Sequence, residues 1–358
     1  MVEQPWTCAA IDHGITFYQN GTIAPCCVID HTYRKDIADI GNQPFKDLAQ
    51  NSFPKECSAC QRAEQYGMTS YRMTFNQRKT TAIGYQFLDI RNTNLCNYRC
   101  RICCADNSSQ IAQELRHKTP IVTQSLSHYK DYIINSAVNL VYYTGGEPFI
   151  NSEHWELLQD MIDHGLSKNI TLNYNTNMST LRYKDRNIFD IWEKFRSVLV
   201  MLSIDAVGEK FNSVRSGGNW NTVEQNILAL QQFQTQYKHL RVSVSTTVSV
   251  LNIWFLQELL EYFKELDMPV VLTDLTYPDY LALNVIPDQL QDQALDCIDR
   301  IEPYVGKNKC NYYKNQILNN TNQHLFNTTV MQTLLLDQMR KENLFEHVPF
   351  KTVALKLL

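Results

Sequence analysis

Three cysteines, Cys96, Cys100 and Cys103, fall within the short run CNYRCRIC. Three thiolates on one such loop can hold three irons of a four-iron, four-sulfur cubane and leave the fourth iron with an open position. An iron with an open position can chelate the amino and carboxylate groups of a small molecule and pass it an electron by direct contact. A second group, Cys8, Cys26, Cys27, Cys57 and Cys60, crowds the first sixty residues. Four of these suffice for a complete ligand set, and a C-x-x-C pair such as Cys57 and Cys60 is the common sign of a structural zinc site. Cys104, Cys297 and Cys310 lie outside both patterns and read as small apolar packing residues. Either of the last two could also serve as a catalytic thiol or hydrogen-atom donor.

The elements that must position these thiols show in the hydrophobic pattern. From Gly84 onward, short apolar runs alternate with amphipathic stretches, the mark of repeated βα units around a parallel sheet. Six strands are expected at 87–91, 140–144, 170–175, 197–204, 240–250 and 270–273, with helices at 108–116, 152–164, 187–195, 222–233 and 255–266. Ser152 and Asn221 are the expected helix caps there. Six strands fall short of the eight of a closed barrel, so the expected fold class is α/β, a partial (β/α)6 TIM-like barrel. Active residues of such folds gather at the C-terminal ends of the strands. The conspicuous motifs obey that rule: the cysteine loop follows the first strand, Gly145-Gly146-Glu147-Pro148 the second, Asn175 and Asn177 end the third, and Ser203 and Asp205 the fourth. Residues 1–83 read as a small metal-stapled domain, 84–280 as the barrel, and 281–358 as a helical C-terminal extension without a chemical motif.

Composition limits the classes further. The chain has 358 residues, 44% hydrophobic and 20% charged, with a formal net charge of -4. It is long and apolar enough for a sizeable core, and no basic run supports phosphate contacts, so nucleic acid is not an expected partner. No window of 18 apolar residues occurs, so no membrane span is expected. The start, residues 1–8, lacks a signal-peptide pattern, and a cytoplasmic location is expected. The odd total of 11 cysteines then points to ligands and catalysts in a reducing setting, away from disulfides.

The spacing Cys96-x-x-x-Cys100-x-Ile102-Cys103, placed after a strand, resembles the hallmark of the radical S-adenosylmethionine (SAM) superfamily. An ordered series of matches from Gly84 to Thr273 carries the resemblance. It implies that Cys96, Cys100 and Cys103 bind a 4Fe-4S cluster and that Ile102, where many members have an aromatic, lies near the adenine. It implies that Gly145, Gly146 and Glu147 of the G-G-E-P element approach the methionine amino group, and that Ser203 and Arg215 hold the methionine carboxylate. Asn175 and Asn177 would bond the ribose or the substrate. The N-terminal G-x-x-x-x-C-C run from Gly21, Ile40-Gly41 and Cys57-Ser-Ala-Cys60 resemble the auxiliary-cluster segment of SPASM and Twitch enzymes, which usually lies after the barrel. That implies one auxiliary 4Fe-4S cluster on Cys8, Cys26, Cys57 and Cys60, with Cys27 a substitute for Cys26. The activity implied is reductive cleavage of S-adenosyl-L-methionine to a 5'-deoxyadenosyl radical that abstracts a hydrogen atom, with electrons from an external donor such as flavodoxin or ferredoxin. The substrate class implied is a peptide or protein. A sugar, nucleoside or other small molecule is the alternative, and a non-catalytic iron-sulfur or zinc-stapled binding protein the second.

Overall fold

The computed structural model describes residues 6–48, 52–78, 84–125, 127, 130, 137–275 and 277–354. Part of the 1–8 segment therefore lies outside the described residues. The strands are β1 (Gly14–Tyr18), β2 (Thr22–Ala24), β3 (Lys35–Asp36), β4 (Phe87–Arg91), β5 (Leu140–Tyr143), β6 (Thr171–Thr176), β7 (Arg182–Tyr183), β8 (Arg186–Asn187), β9 (Ser197–Ser203), β10 (Leu240–Val248) and β11 (Val270–Asp274). β7 and β8 form a separate hairpin, and the other nine make one sheet in the order β11-β10-β9-β6-β5-β4-β1-β2-β3.

The expected six barrel strands are all present as a parallel series, and the fold is the α/β partial barrel anticipated above. One feature differs. β1, from the cysteine-rich N-terminal segment, adds to β4 in parallel as a seventh strand, and β2 and β3 continue the edge antiparallel. Gly14–Tyr18 is buried along its whole length, as a strand between two neighbours must be. A single hydrophobic core runs from Ile11 and Phe17 through the barrel to Ile298 and Phe350.

Alternation along the strands separates two faces. In β9, Val198, Val200 and Leu202 are buried against helices, while Ser197, Leu199, Met201 and Ser203 face the partly open lumen. The pairing aligns Thr16, Asp89, Tyr142 and Asn173 across β1, β4, β5 and β6 on that same lumen face. The opposite face carries Tyr143 and Tyr174, which pack on His154 of the helix Ser152–Asp163.

Two helix starts differ from expectation. Asn151, in place of Ser152, caps the helix after β5 by accepting from Glu153 N, and Asn219, in place of Asn221, caps the helix Trp220–Gln236 by accepting from Thr222 N. Asparagine and serine are comparable caps, so the choice rests on where the preceding loop leaves the chain extended. A helix at Gly208–Val214 was not expected from the pattern. The C-terminal residues form the helices Asp288–Val305, Lys307–Leu318 and Phe326–Arg340, as expected of a helical extension.

Candidate active site at the barrel mouth

The cysteine loop leaves β4 and is gripped by three neighbours. The G-G-E-P turn is the first: Gly146 N donates to Thr93 O at 3.0 Å and Glu147 N to Leu95 O at 2.7 Å. A Cβ on Gly146 would sit 1.9 Å from Leu95 O, and Gly145 has φ +96° with Thr93 O 2.7 Å from its would-be Cβ. Both glycines are therefore required by contact with the start of the cysteine loop itself, whatever else the turn binds.

Glu147 is 1% exposed, and both its oxygens are used. Oε1 accepts from Thr176 Oγ1 at 2.8 Å and Phe149 N at 3.1 Å, and Oε2 accepts from Asn177 N at 2.7 Å. Burial raises its pKa to about 7, against the pull of Asn177, Phe149, Thr176 and Arg215. Its carboxylate ties the end of β6 to the turn, and Asn177 Nδ2 continues the tie to Asn97 Oδ1 in the cysteine loop at 3.0 Å. In the variant Glu147→Gln, an amide NH2 replaces one acceptor and faces a donor. Its cost is expected to be about 1–3 kcal/mol, read as a lower midpoint in chemical denaturation.

The second neighbour is the stretch Ser213 to Gly218. Arg99 N donates to Ser216 O and Arg101 N to Val214 O, both at 2.9 Å, while Tyr98 packs edge-on against Phe211. Arg215 is buried, pairs with Asp205 Oδ2 at 2.7 Å and points Nη1 at Cys100 Sγ at 3.9 Å. Asp205 is itself held by Thr247 N at 2.8 Å, so a guanidinium from the loop after β9 is fixed beside the thiols. Arg215 Nε is buried without a hydrogen-bond partner. An orphan donor here is ready for an anionic ligand group.

The third neighbour is the C-terminal helix Phe326–Arg340, which carried no motif in the sequence. Arg101 donates Nε to Ser213 O at 2.9 Å and Nη1 to Thr333 O at 3.1 Å, and its Nη2 pairs with Asp337 and with Glu342 Oε2. Arg340 reaches Arg99 O at 2.9 Å and bonds Glu114 through Nε and Nη2. Only the burial of Arg101 inside CNYRCRIC could have hinted at such a clamp, and burial of an arginine is not legible in sequence.

Within this frame, burial pushes the Cys96 thiol up to about 12, with Cys100 and Glu147 also raising it. Burial likewise raises Cys100 and Cys103; Arg215 pulls Cys100 down, and Cys100 raises Cys103 further. A bound cation is the ordinary relief for thiols crowded in this way. Among the described residues no three His, Cys, Asp or Glu side chains stand as ready ligands of one metal ion. A cubane asks something different, since each thiolate takes a separate iron. Ile102 is half-buried beside Cys103, and Ser203 and Asn175 are half-buried at strand ends on the lumen face. Asn175 Oδ1 lacks a hydrogen-bond partner.

Cys8, Cys26, Cys57 and Cys60 line one small cavity of about 20 Å³ together with Trp6, Tyr71 and Arg72. Cys27 points elsewhere: its thiol donates to Asp89 on the lumen face. Cys104 is half-buried, and Cys297 and Cys310 are buried in the C-terminal helices, where Cys297 Sγ accepts from Arg300 and Cys310 donates to Ile298 O.

Residues 90–237, which hold the cysteine loop, the glycine turn, Asp205 and Arg215, match the family profile of the Radical SAM superfamily. The match covers less than half of the chain. An uncharacterized protein of Methanocaldococcus jannaschii is 23% identical to the chain over 202 residues, 54% of this chain and 64% of its own. Among solved structures, native anSMEcpe with bound AdoMet is 16% identical with a TM-score of 0.44 and covers 62% of both chains. SuiB of Streptococcus suis bound to precursor peptide SuiA is 14% identical with a TM-score of 0.40, over 74% of this chain and 59% of its own. The chain thus spans less than two thirds of the length of each. No helix among the described residues is long and apolar enough to cross a membrane.

Proposed function

We propose that the chain is a radical SAM enzyme that abstracts a hydrogen atom from a peptide or protein substrate. The observation that carries this reading is the placement of the buried Cys100, flanked by the half-buried Cys96 and Cys103, beside the Asp205-anchored guanidinium of Arg215 at the barrel mouth, within the segment that matches the radical SAM profile. Cys96, Cys100 and Cys103 would hold the 4Fe-4S cluster, and Arg215 with Ser203 the methionine carboxylate. Ile102 would lie by the adenine and Asn175 by the ribose, with Gly145, Gly146 and Glu147 shaping the methionine side. When bound, the cluster and S-adenosylmethionine supply one-electron cleavage to methionine and a 5'-deoxyadenosyl radical. The protein's own share is to orient that radical, exclude water and hold the loops at fixed distance.

Cys8, Cys26, Cys57 and Cys60 would bind an auxiliary 4Fe-4S cluster, a reading supported by their shared cavity and by the turn of Cys27 toward Asp89. In this reading 1–83 is a Twitch-like segment built onto the barrel edge, 84–280 the catalytic barrel and 281–358 the extension that clamps the cluster loop. The setting is a reducing cytoplasm with a flavodoxin or ferredoxin as donor. The peptide substrate class rests on the resemblance of the N-terminal segment to SPASM and Twitch segments.

Anaerobic reconstitution with iron and sulfide, followed by dithionite and S-adenosylmethionine, is expected to release 5'-deoxyadenosine and methionine. Absence of both would overturn the radical reading. Repeating the reaction with a deuterated peptide digest should place deuterium in the 5'-deoxyadenosine, whereas label arriving only from deuterated sugars or nucleosides would overturn the peptide assignment.

A further inference from the structure

The lumen edge beside the auxiliary cysteines carries an excess of positive charge that the radical chemistry does not use. Arg91, the last residue of β4, bonds Asp89 through Nε at 3.1 and 3.2 Å. Its two terminal nitrogens donate to no described residue. The terminal nitrogens of three other arginines around the site are taken: Arg101 and Arg340 use both on carboxylates, carbonyls and a hydroxyl, and Arg215 uses its two on Asp205 and Cys100. Arg34, from the connection between β2 and β3, lies with Cζ 3.7 Å from the centroid of the Tyr18 ring. It pairs with no described acid, and its Nε is buried without a partner.

Tyr18 lies opposite Arg91 in the β1–β4 pairing and feels Arg91, Asp89, Arg34 and Cys27 together. Two guanidiniums and one carboxylate thus meet at one lumen edge, leaving one positive charge. Thr16 Oγ1 and Asn173 Oδ1, in the layer that also holds Asp89 and Tyr142, are buried without hydrogen-bond partners. Buried polar groups left open in this way are expected where a ligand completes them. Guanidinium nitrogens held as a pair suit the planar, two-oxygen geometry of a carboxylate.

We propose that Arg34 and Arg91 form a carboxylate-binding clamp that anchors an acidic group of the substrate in the lumen, between the auxiliary cysteines and the cluster loop. The assignment rests on the radical SAM reading only in calling the ligand a substrate. It deepens that reading by naming the substrate class: a molecule, such as a peptide, that presents a carboxylate beside the reacting carbon. Asn173 Oδ1 is placed to accept an adjoining N–H from such a molecule.

The test uses the reconstituted holoenzyme with saturating S-adenosylmethionine, so that the Arg215 side is filled. Glutarate is titrated as the probe, and binding is read as the rise in melting temperature. A saturable rise is expected for glutarate and none for glutaramide, its uncharged counterpart. Arg34→Gln and Arg91→Gln are each expected to weaken the glutarate midpoint at least about tenfold. Arg34 has no ion pair to lose, so R34Q keeps the test decisive if R91Q fails to fold. An equal response to glutaramide, a stronger response to inorganic phosphate, or an unchanged glutarate midpoint in R34Q would overturn the clamp. Glutarate binding is read without turnover, so an enzyme that binds glutarate normally yet never cleaves S-adenosylmethionine would refute the radical reading and leave the clamp standing.

Discussion

Replacement of Cys96, Cys100 and Cys103 together by alanine is expected to abolish 5'-deoxyadenosine formation and to lower the iron content of the reconstituted chain from about eight to about four atoms. The thiols of the loop and those of the N-terminal cavity belong to two separate places in the fold, one at the mouth beside Arg215 and one lined by Trp6, Tyr71 and Arg72. Loss of one set should leave the other able to fill. The reciprocal variant, with Cys8, Cys26, Cys57 and Cys60 replaced, should likewise retain about four irons and still cleave S-adenosylmethionine under dithionite. Iron and sulfide analysis checks both variants. Zinc in place of the residual iron would make the N-terminal site a structural staple, and loss of all iron from the first variant would mean that the cavity holds no cluster of its own.

The second large effect is expected where the cysteine loop meets a helix more than two hundred residues away in sequence. Arg101→Ala removes a side chain only 1% exposed and leaves Asp337 and Glu342, 12% and 15% exposed, without their shared cation. Breaking a buried pair by deleting one partner costs about 3–5 kcal/mol. In a chain of this size that corresponds to a melting temperature roughly 5 °C lower, by calorimetry on the intact protein. Arg101→Lys should recover only a small part, because one ammonium cannot serve Ser213 O, Thr333 O and two carboxylates at once. If the helix Phe326–Arg340 is a clamp on the cysteine loop, the same variant must also load less iron at that loop while the N-terminal cavity fills normally. A melting change with full iron loading would show that the extension stabilises the fold without positioning the site.

Local chemistry was readable wherever it lay in contiguous residues. The three-cysteine spacing and the glycine turn each occupy a few neighbouring positions, and the βα rhythm of 87–273 is a series of short local patterns, since hydrophobic periodicity follows directly from which face of a strand or helix is buried. Even so, the reason for Gly145 and Gly146 was legible only in part. Permissive φ could be expected, but the backbone oxygens of Thr93 and Leu95 that exclude a Cβ come from a segment about fifty residues away.

Long-range pairing decided the rest. That Gly14–Tyr18 would join β4 as a seventh parallel strand could not be read from a short buried run, since periodicity does not name a partner. The same pairing brings Tyr18 and Arg34 beside Arg91 and so makes the proposed carboxylate clamp. The sequence by itself determined the chemical types present: three closely spaced thiols, five more within the first sixty residues, and a parallel α/β frame whose strand ends would display the three. Only the tertiary structure decided which cysteine of the Cys26-Cys27 pair turns toward Cys8, Cys57 and Cys60, that Asp205 holds Arg215 against Cys100, and that Arg101 and Arg340 hand the cysteine loop to the last long helix. Those choices depend on contacts between residues some ten to more than two hundred positions apart, where burial and charge pairing are properties of the folded surface and not of any local run.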